Sequence, residues 1–274
     1  MRVKESYIEH YYKGTRFVST LRRLTGSISP RSSPKPLFNI VKTLNSPKNT
    51  KGILSFTLFG DDNKKDFWSG LVNPLLLNAK LIDKILPGWT IRVYISSSIS
   101  QPIHDALIEA GCELVVMNEE TDNAFSGLLW RFLPAGESLP FMVCDADLSI
   151  AGSNLFIPDF EKIDEWLKSD KSFYRRKCFP INIGWPLSAG CWGGKPTKDG
   201  KPPVPNIKEI LEKYDYNWFG SDEAFLRKEV WPLFKKEGYY TVYTTLERVM
   251  GVLLIIFILA LVTVIIYKIV KRRR

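Results

Sequence analysis

Asp145 and Asp147 close the apolar run Leu139-Pro140-Phe141-Met142-Val143-Cys144. A buried strand that stops in Asp-Ala-Asp presents two carboxylates at the carboxyl edge of a sheet. Open α/β sheets bind their ligands at that edge. Two hard oxygen donors so close together suit Mg²⁺ or Mn²⁺ better than a soft metal. A divalent ion there could bridge a nucleotide diphosphate and neutralise a departing phosphate, which is Lewis-acid work. The plain alternative is that two short acids at a strand end only cap a turn.

Other side chains could serve the same chemistry. Phe59, Gly60 and Asp61 follow another apolar run, Ile53 to Phe59, where a nucleotide base commonly lies in doubly wound sheets. Gly60 could equally make a simple turn. Gly190-Cys191-Trp192-Gly193-Gly194 reads as a loop that brings backbone close to a ligand, because glycine carries no side chain to hold it off. Trp192 in that loop could stack on a sugar face or pack in the core. Arg131, Arg175, Arg176 and Lys195 could meet phosphate charge or remain solvated surface bases. Asp222, behind Ser221 at a helix start, could serve as a general base. It could also do no more than stabilise the helix terminus.

The elements that must position these residues alternate in period. Ile53–Phe59, Thr90–Ser96, Cys112–Met117, Pro140–Cys144 and Ser172–Lys177 read as strands. Phe67–Ile85 (interrupted at Pro74), Pro102–Ala110, Asn123–Leu133, Phe160–Lys168, Asn206–Tyr214 and Ser221–Lys236 read as helices. Strands alternating with helices at this spacing predict βαβ units and a mostly parallel sheet flanked by helices. Cys178 to Pro205, rich in Gly, Pro and Trp, reads as loop.

The net charge of +9 is unevenly spread. Residues 1–50 carry ten Lys/Arg against two acids, and residues 268–274 carry five Lys/Arg and no acid. The stretch between them is mildly acidic, with 23 bases against 27 acids. That balance argues against a nucleic-acid-binding core and for basic ends that meet an anionic surface. The four cysteines form no Cys-x-x-Cys, and neither histidine stands beside one, so a zinc site is not expected. Val249 to Tyr267 is nineteen residues without a charge, about 28 Å as a helix, which predicts a C-terminal membrane span with a basic tail. The division expected is 1–50 basic extension and Ser/Pro linker, 51–247 folded domain, 248–267 transmembrane helix and 268–274 tail. A short translocated tail favours a single-pass anchor with the body in the cytosol.

Several segments between Gly52 and Tyr240 together resemble sugar-nucleotide-dependent glycosyltransferases of the GT-A fold. They are Ser55-Phe56-Thr57-Leu58-Phe59-Gly60-Asp61, Pro87-Gly88-Trp89, Trp130-Arg131-Phe132-Leu133, Asp145-Ala146-Asp147, Gly190 to Lys195, and Asp222-Glu223-Ala224-Phe225-Leu226. The nearest likeness is a sparsely characterised group found in bacteria, algae and large DNA viruses. Where that group reads Arg-Asp-x-Asp-Ser-Arg, this chain reads Cys144-Asp145-Ala146-Asp147-Leu148-Ser149. The resemblance implies a GT-A, Rossmann-like fold and a Mn²⁺- or Mg²⁺-dependent hexosyltransferase. Asp145 would face the ribose or the metal, and Asp147 would ligate the metal. Phe59, Gly60, Asp61, Arg131, Trp192, Gly193 and Lys195 would lie around the nucleotide sugar, with Asp222 as the catalytic residue, a general base on the acceptor hydroxyl or a ligand of the donor sugar.

The expected partners are therefore a nucleotide-diphosphate sugar donor and a glycan, lipid or protein acceptor, with no nucleic acid. A nucleotidyltransferase shares the sheet and paired acids. It usually needs a Gly-rich basic loop after the first strand, where this chain has Gly60-Asp61-Asp62-Asn63. A binding module that keeps the fold without activity is the third class, motivated by the missing flanking arginines.

Overall fold

The computed structural model describes residues 38–118, 127–147, 160–177, 186–214 and 221–243, with the single positions 249, 259, 262 and 263. The expected N-terminal extension, the basic tail and the start of the Asn123–Leu133 helix lie outside the described residues.

Eight strands form one sheet in the order β1-β4-β3-β2-β5-β7-β6-β8. They are β1 (Ile40–Leu44), β2 (Gly52–Leu58), β3 (Trp89–Ser96), β4 (Glu113–Met117), β5 (Phe141–Cys144), β6 (Phe173–Lys177), β7 (Cys191–Gly194) and β8 (Tyr239–Tyr243). The five strands expected from the sequence are present, each within about two residues of its predicted ends. The pairs β2/β3, β3/β4, β2/β5 and β6/β8 are parallel. The pairs β1/β4, β5/β7 and β6/β7 are antiparallel. The expectation of a mostly parallel, Rossmann-like sheet is thereby corrected: the sheet is mixed.

Each antiparallel pair involves β1 or β7, two strands absent from the sequence reading. β7 escaped because Cys-Trp-Gly-Gly carries two glycines, which weaken a strand interior. The glycines are required by packing. A β-carbon on Gly193 would meet the Phe141 carbonyl at 2.5 Å, and one on Gly194 would meet the Phe141 ring at 2.8 Å.

The helices are α1 (Asn73–Ile85), α2 (Gln101–Glu109), α3 (Gly127–Trp130), α4 (Glu161–Lys168), α5 (Ile207–Lys213), α6 (Ser221–Phe225) and α7 (Trp231–Glu237). A π turn at Trp68–Val72 leads directly into α1, and Pro74, which lacks an N–H, stands just past the point where the winding changes. A second π turn, Leu226–Val230, joins α6 to α7, so the predicted Ser221–Lys236 helix is continuous in path but not in winding.

Alternation along the strands builds two cores. Leu54, Phe56 and Leu58 of β2 face one side with Val93, Ile95, Met142 and Cys144, under α1, α2 and α4. Ile53, Tyr94, Val115, Phe141, Val143 and Trp192 face the other, under α3, α5, α6 and α7. Side chains as fully buried as Phe56, Phe141 and Trp192 each contribute roughly 1.5–3 kcal/mol or more over exposure.

The membrane span expected at Val249–Tyr267 is also corrected. No helix among the described residues is long and apolar enough to cross a membrane. Of that run only Val249, Leu259, Val262 and Thr263 are described. The single-pass anchor and the cytosolic localisation derived from it therefore have no support.

Candidate functional site around Arg131

The site begins with two hydroxyls on the second face of β2. Ser55 and Thr57 alternate with Leu54, Phe56 and Leu58, so they point away from the first core. Thr57 Oγ1 donates to the Gly127 carbonyl at 2.6 Å, and Ser55 Oγ donates to the Arg131 carbonyl at 2.8 Å. These bonds satisfy carbonyls at both ends of α3, a helix too short to satisfy them itself, and seat Arg131 over the sheet.

Arg131 is only 4% exposed. Its Nη1 donates to Asp145 Oδ1, and its Nη2 donates to Asp222 Oδ2 at 3.2 Å. Asp145 is the first residue past β5, and strand alternation gives it the same face as Val143, toward Arg131. Asp222 lies in the first turn of α6, where its Oδ1 also accepts the Glu223 amide at 3.0 Å. A single guanidinium thus bridges the end of the sheet and the second helical layer. Burial alone would lower the proton affinity of Arg131, but the charges of Asp145 and Asp222 outweigh it and raise it. The Arg131 Nε and Ser221 Oγ are buried without a hydrogen-bond partner among the described residues.

The two carboxylates differ in access. The Asp145 side chain is 40% exposed, whereas the Asp222 residue is 6% exposed. Asp147 is exposed, and its carboxyl is raised above the ordinary value by lost solvation and then by the negative charge of Asp145. Around one guanidinium therefore stand Asp145, Asp147 and Asp222, with Glu223 close enough to act on it electrostatically. The site is net negative.

The neighbouring strand end has its own order. β2 and β5 are parallel neighbours with Ser55 beside Val143, so Phe59–Asp61 and Asp145–Asp147 leave the same edge of the sheet. Gly60 takes φ +107°, a region that favours glycine, with open space around it. Asp61 Oδ1 accepts both the Asn63 amide and its side-chain Nδ2 at 3.1 Å, an Asx turn. The Phe59 ring lies edge-on to Trp130 at 6.3 Å and occupies the space a β-carbon on Gly127 would need.

Four other candidates have structural roles. Trp192 is fully buried, with its ring against Phe132, Phe141 and Phe234, and presents no face to a sugar. Lys195 Nζ donates to the carbonyls of Trp166, Leu167 and Ser169 at 2.7–2.9 Å, closing the carboxyl end of α4. Three acceptors use all three ammonium donors. Arg175 donates to Thr241 Oγ1 and the Pro186 carbonyl, and its guanidinium lies over the Trp231 and Tyr239 rings. Gly193 serves the β5/β7 contact described above.

Gly190 acquires a role the sequence did not suggest. A β-carbon there would fall on the Asp145 carboxyl group, so the glycine makes room for a side chain rather than for a ligand. Ser55 and Thr57 were also missed as site residues. The signal available for them was two hydroxyls on the otherwise apolar alternation of β2.

Among the described residues, no group of three or more His, Cys, Asp or Glu side chains could hold a metal ion. The manganese expected at Asp145 and Asp147 therefore finds no metal-holding group of side chains among the described residues. What the chain offers is two hard carboxylates, Asp145 and Asp147, with Asp147 raised first by desolvation and then by the charge of Asp145. These fit a divalent ion only if other oxygens, such as those of a diphosphate, complete its shell.

No family model and no curated protein matches the chain. Two solved structures are similar at low identity. A putative protein (Aq1419) from Aquifex aeolicus VF5 is 16% identical, over 72% of this chain and 89% of its own, with a TM-score of 0.38. Rv0371c from Mycobacterium tuberculosis H37Rv is 11% identical, over 72% of this chain and 90% of its own, with a TM-score of 0.37. Likeness at these scores carries no argument about function.

Proposed function

We propose that the chain transfers a sugar from a nucleotide-diphosphate sugar to a hydroxyl of a glycan, lipid or protein. The observation that carries this reading is the acidic cluster at the carboxyl edge of β2 and β5, with its one guanidinium already engaged by Asp145 and Asp222. Such a site repels a bare diphosphate and accepts one that arrives with a divalent cation. Asp147 and the open side of Asp145 are the residues that would hold Mn²⁺ or Mg²⁺. The ion, when bound, supplies Lewis acidity to the departing diphosphate.

The chain's own groups do the rest. Phe59, Gly60 and Asp61 border the same edge and form the wall on which the nucleoside would rest. Arg131 orients Asp145 from beneath. Asp222, with one oxygen on Arg131 and the other on the Glu223 amide, holds the position of that guanidinium. Lys195 and Trp192 take no part in binding.

Incubating the full chain with a panel of nucleotide sugars and Mn²⁺ tests the reading through release of free nucleoside diphosphate. Release that requires Mn²⁺ and is lost in Asp147→Asn is the expected result. Pyrophosphate release from nucleoside triphosphates instead would favour nucleotidyl transfer, and binding without release would favour a module without activity.

A further inference from the structure

We infer that Cys144 and Cys191 form a reversible cross-strand disulfide that clamps the Asp145 end of β5 to the start of β7. The clamp does not depend on the transfer reading.

Both residues are thiols in this structure, buried at 2% and 0% exposure. They are register partners in the antiparallel β5/β7 pair. The hydrogen bonds around them decide which kind of pair they make. The Ile53 amide donates to the Pro140 carbonyl, so the even-numbered residues of β5 turn their backbone groups toward β2. The Lys195 amide donates to the Ser172 carbonyl, so the odd-numbered residues of β7 turn theirs toward β6. Cys144 and Cys191 therefore exchange no backbone hydrogen bond, and the Cys191 amide donates instead to the Ser188 carbonyl at 3.2 Å. In a pair of this kind the α-carbons stand about 4.5 Å apart and the side chains are at their closest. A disulfide needs α-carbons roughly 4.4–6.8 Å apart, so the register meets its first condition.

Direction is met as well. Residues directly opposite each other project to the same face, here the first core, where Cys144 lies with Met142. The equivalent pair one repeat earlier, Met142 with Gly193, shows how near such side chains come. Met142 Sδ falls on the place that a β-carbon on Gly193 would take. Cys112, just before β4, is separated from β5 by β3 and β2. Three strand spacings are about 14 Å, so Cys112 cannot compete.

A peroxide is the oxidant. One sulfur attacks a peroxide oxygen and becomes a sulfenic acid, and water leaves. The second thiol displaces that hydroxyl as another water, and the S–S bond forms. Two thiols and one hydrogen peroxide thus give one disulfide and two waters; the sulfurs lose two electrons and the O–O bond takes them. Burial, and then the charge of Asp145, hold Cys144 in its thiol form, so closure is slow.

The flanking residues give the bond its consequence. Asp145 follows Cys144, Gly190 precedes Cys191, and the Asp145 carboxyl occupies the place of a β-carbon on Gly190. The disulfide ties together the two strand ends at which Asp145 meets Arg131. It also closes the excursion through β6 into one loop, which restricts the unfolded chain and raises the melting temperature.

The test holds the reduced full chain overnight in millimolar hydrogen peroxide. Catalase and an alkylating agent in denaturant then stop the reaction, and unreduced peptides are mapped by mass spectrometry. The expected product is one linked pair, Cys144 with Cys191, which dithiothreitol returns to two thiols. The oxidised chain is expected to melt several degrees higher than the reduced one, and Cys144→Ala to abolish both link and shift. A link through Cys112 or Cys178, a sulfinic acid at Cys144 or Cys191 in place of the link, or thiols left intact overturns the inference. So does a linked chain that melts no higher than the reduced one.

Discussion

Gly190 and Asp145 occupy one space: the carboxyl group of Asp145 lies where a β-carbon on residue 190 would stand. The contact joins the start of β7 to the end of β5, which pair antiparallel with Cys191 opposite Cys144. A substitution as small as Gly190→Ala must push Asp145 off Arg131 or spread the two strands. The expected cost is about 1–3 kcal/mol, typical of an overpacked site, together with loss of Mn²⁺ response. Urea unfolding and a thermal-shift titration with Mn²⁺ check both. A variant with wild-type stability and metal response would show that the strand ends yield freely.

Lys195→Met tests whether the base after Gly193-Gly194 is a phosphate ligand or a helix cap. Three carbonyls at the end of α4 lose a charged donor that also suits the negative end of the helix dipole. Stability should fall by roughly 1–3 kcal/mol, since hydrogen bonds from a charged group contribute more than neutral ones. Nucleoside-diphosphate binding by the folded variant should match wild type. Selective loss of binding at unchanged stability would return Lys195 to the site.

Asp147 gives a pH dependence with a definite sign. Its folded-state proton affinity is raised above that of an ordinary carboxylate by desolvation and by Asp145. A raised carboxyl makes the folded chain bind more protons than the unfolded one, so this contribution is full below the unfolded pKa and is lost as pH rises through the folded pKa. Asp147→Asn is therefore expected to be slightly more stable than wild type at neutral pH, with the difference vanishing in acid below the unfolded value. Melting temperatures measured from pH 3 to 8 decide it. A variant less stable at neutral pH would mean that the carboxylate is favourably paired.

The thiols at the heart of the sheet are expected to be unreactive. Burial pushes Cys112 up to about 12, and burial with the charge of Asp145 pushes Cys144 up as well. The thiolate is the reactive form, so neither should be labelled quickly in the native state. Cys191, fully buried opposite Cys144, should behave likewise. Peptide mapping after brief alkylation at pH 8, with and without denaturant, reads this at all three positions. Fast native labelling at Cys144 would show that the β5/β7 edge opens.

The strand β5 and the place of Asp145 and Asp147 at its end were legible in the sequence. A run of buried apolar residues ending in acids is a local pattern, and local periodicity survives folding. The same holds for β2 through β4 and for α1 and α2. β7 was not legible, because its glycines read as loop until the Phe141 carbonyl and Met142 side chain are known to press against them. The partnership of Asp145 with Asp222 could not be read either. Seventy-seven positions separate them, and what joins them is the reach of Arg131 across two layers. Lys195 and Trp192 have side-chain types that suit phosphate and sugar, but the tertiary structure used the one to end α4 and the other to fill the second core. Residue type and spacing determined which chemistry this chain could attempt. Which of those groups remain open for it was decided by packing, because burial and hydrogen-bond satisfaction depend on neighbours distant in the sequence.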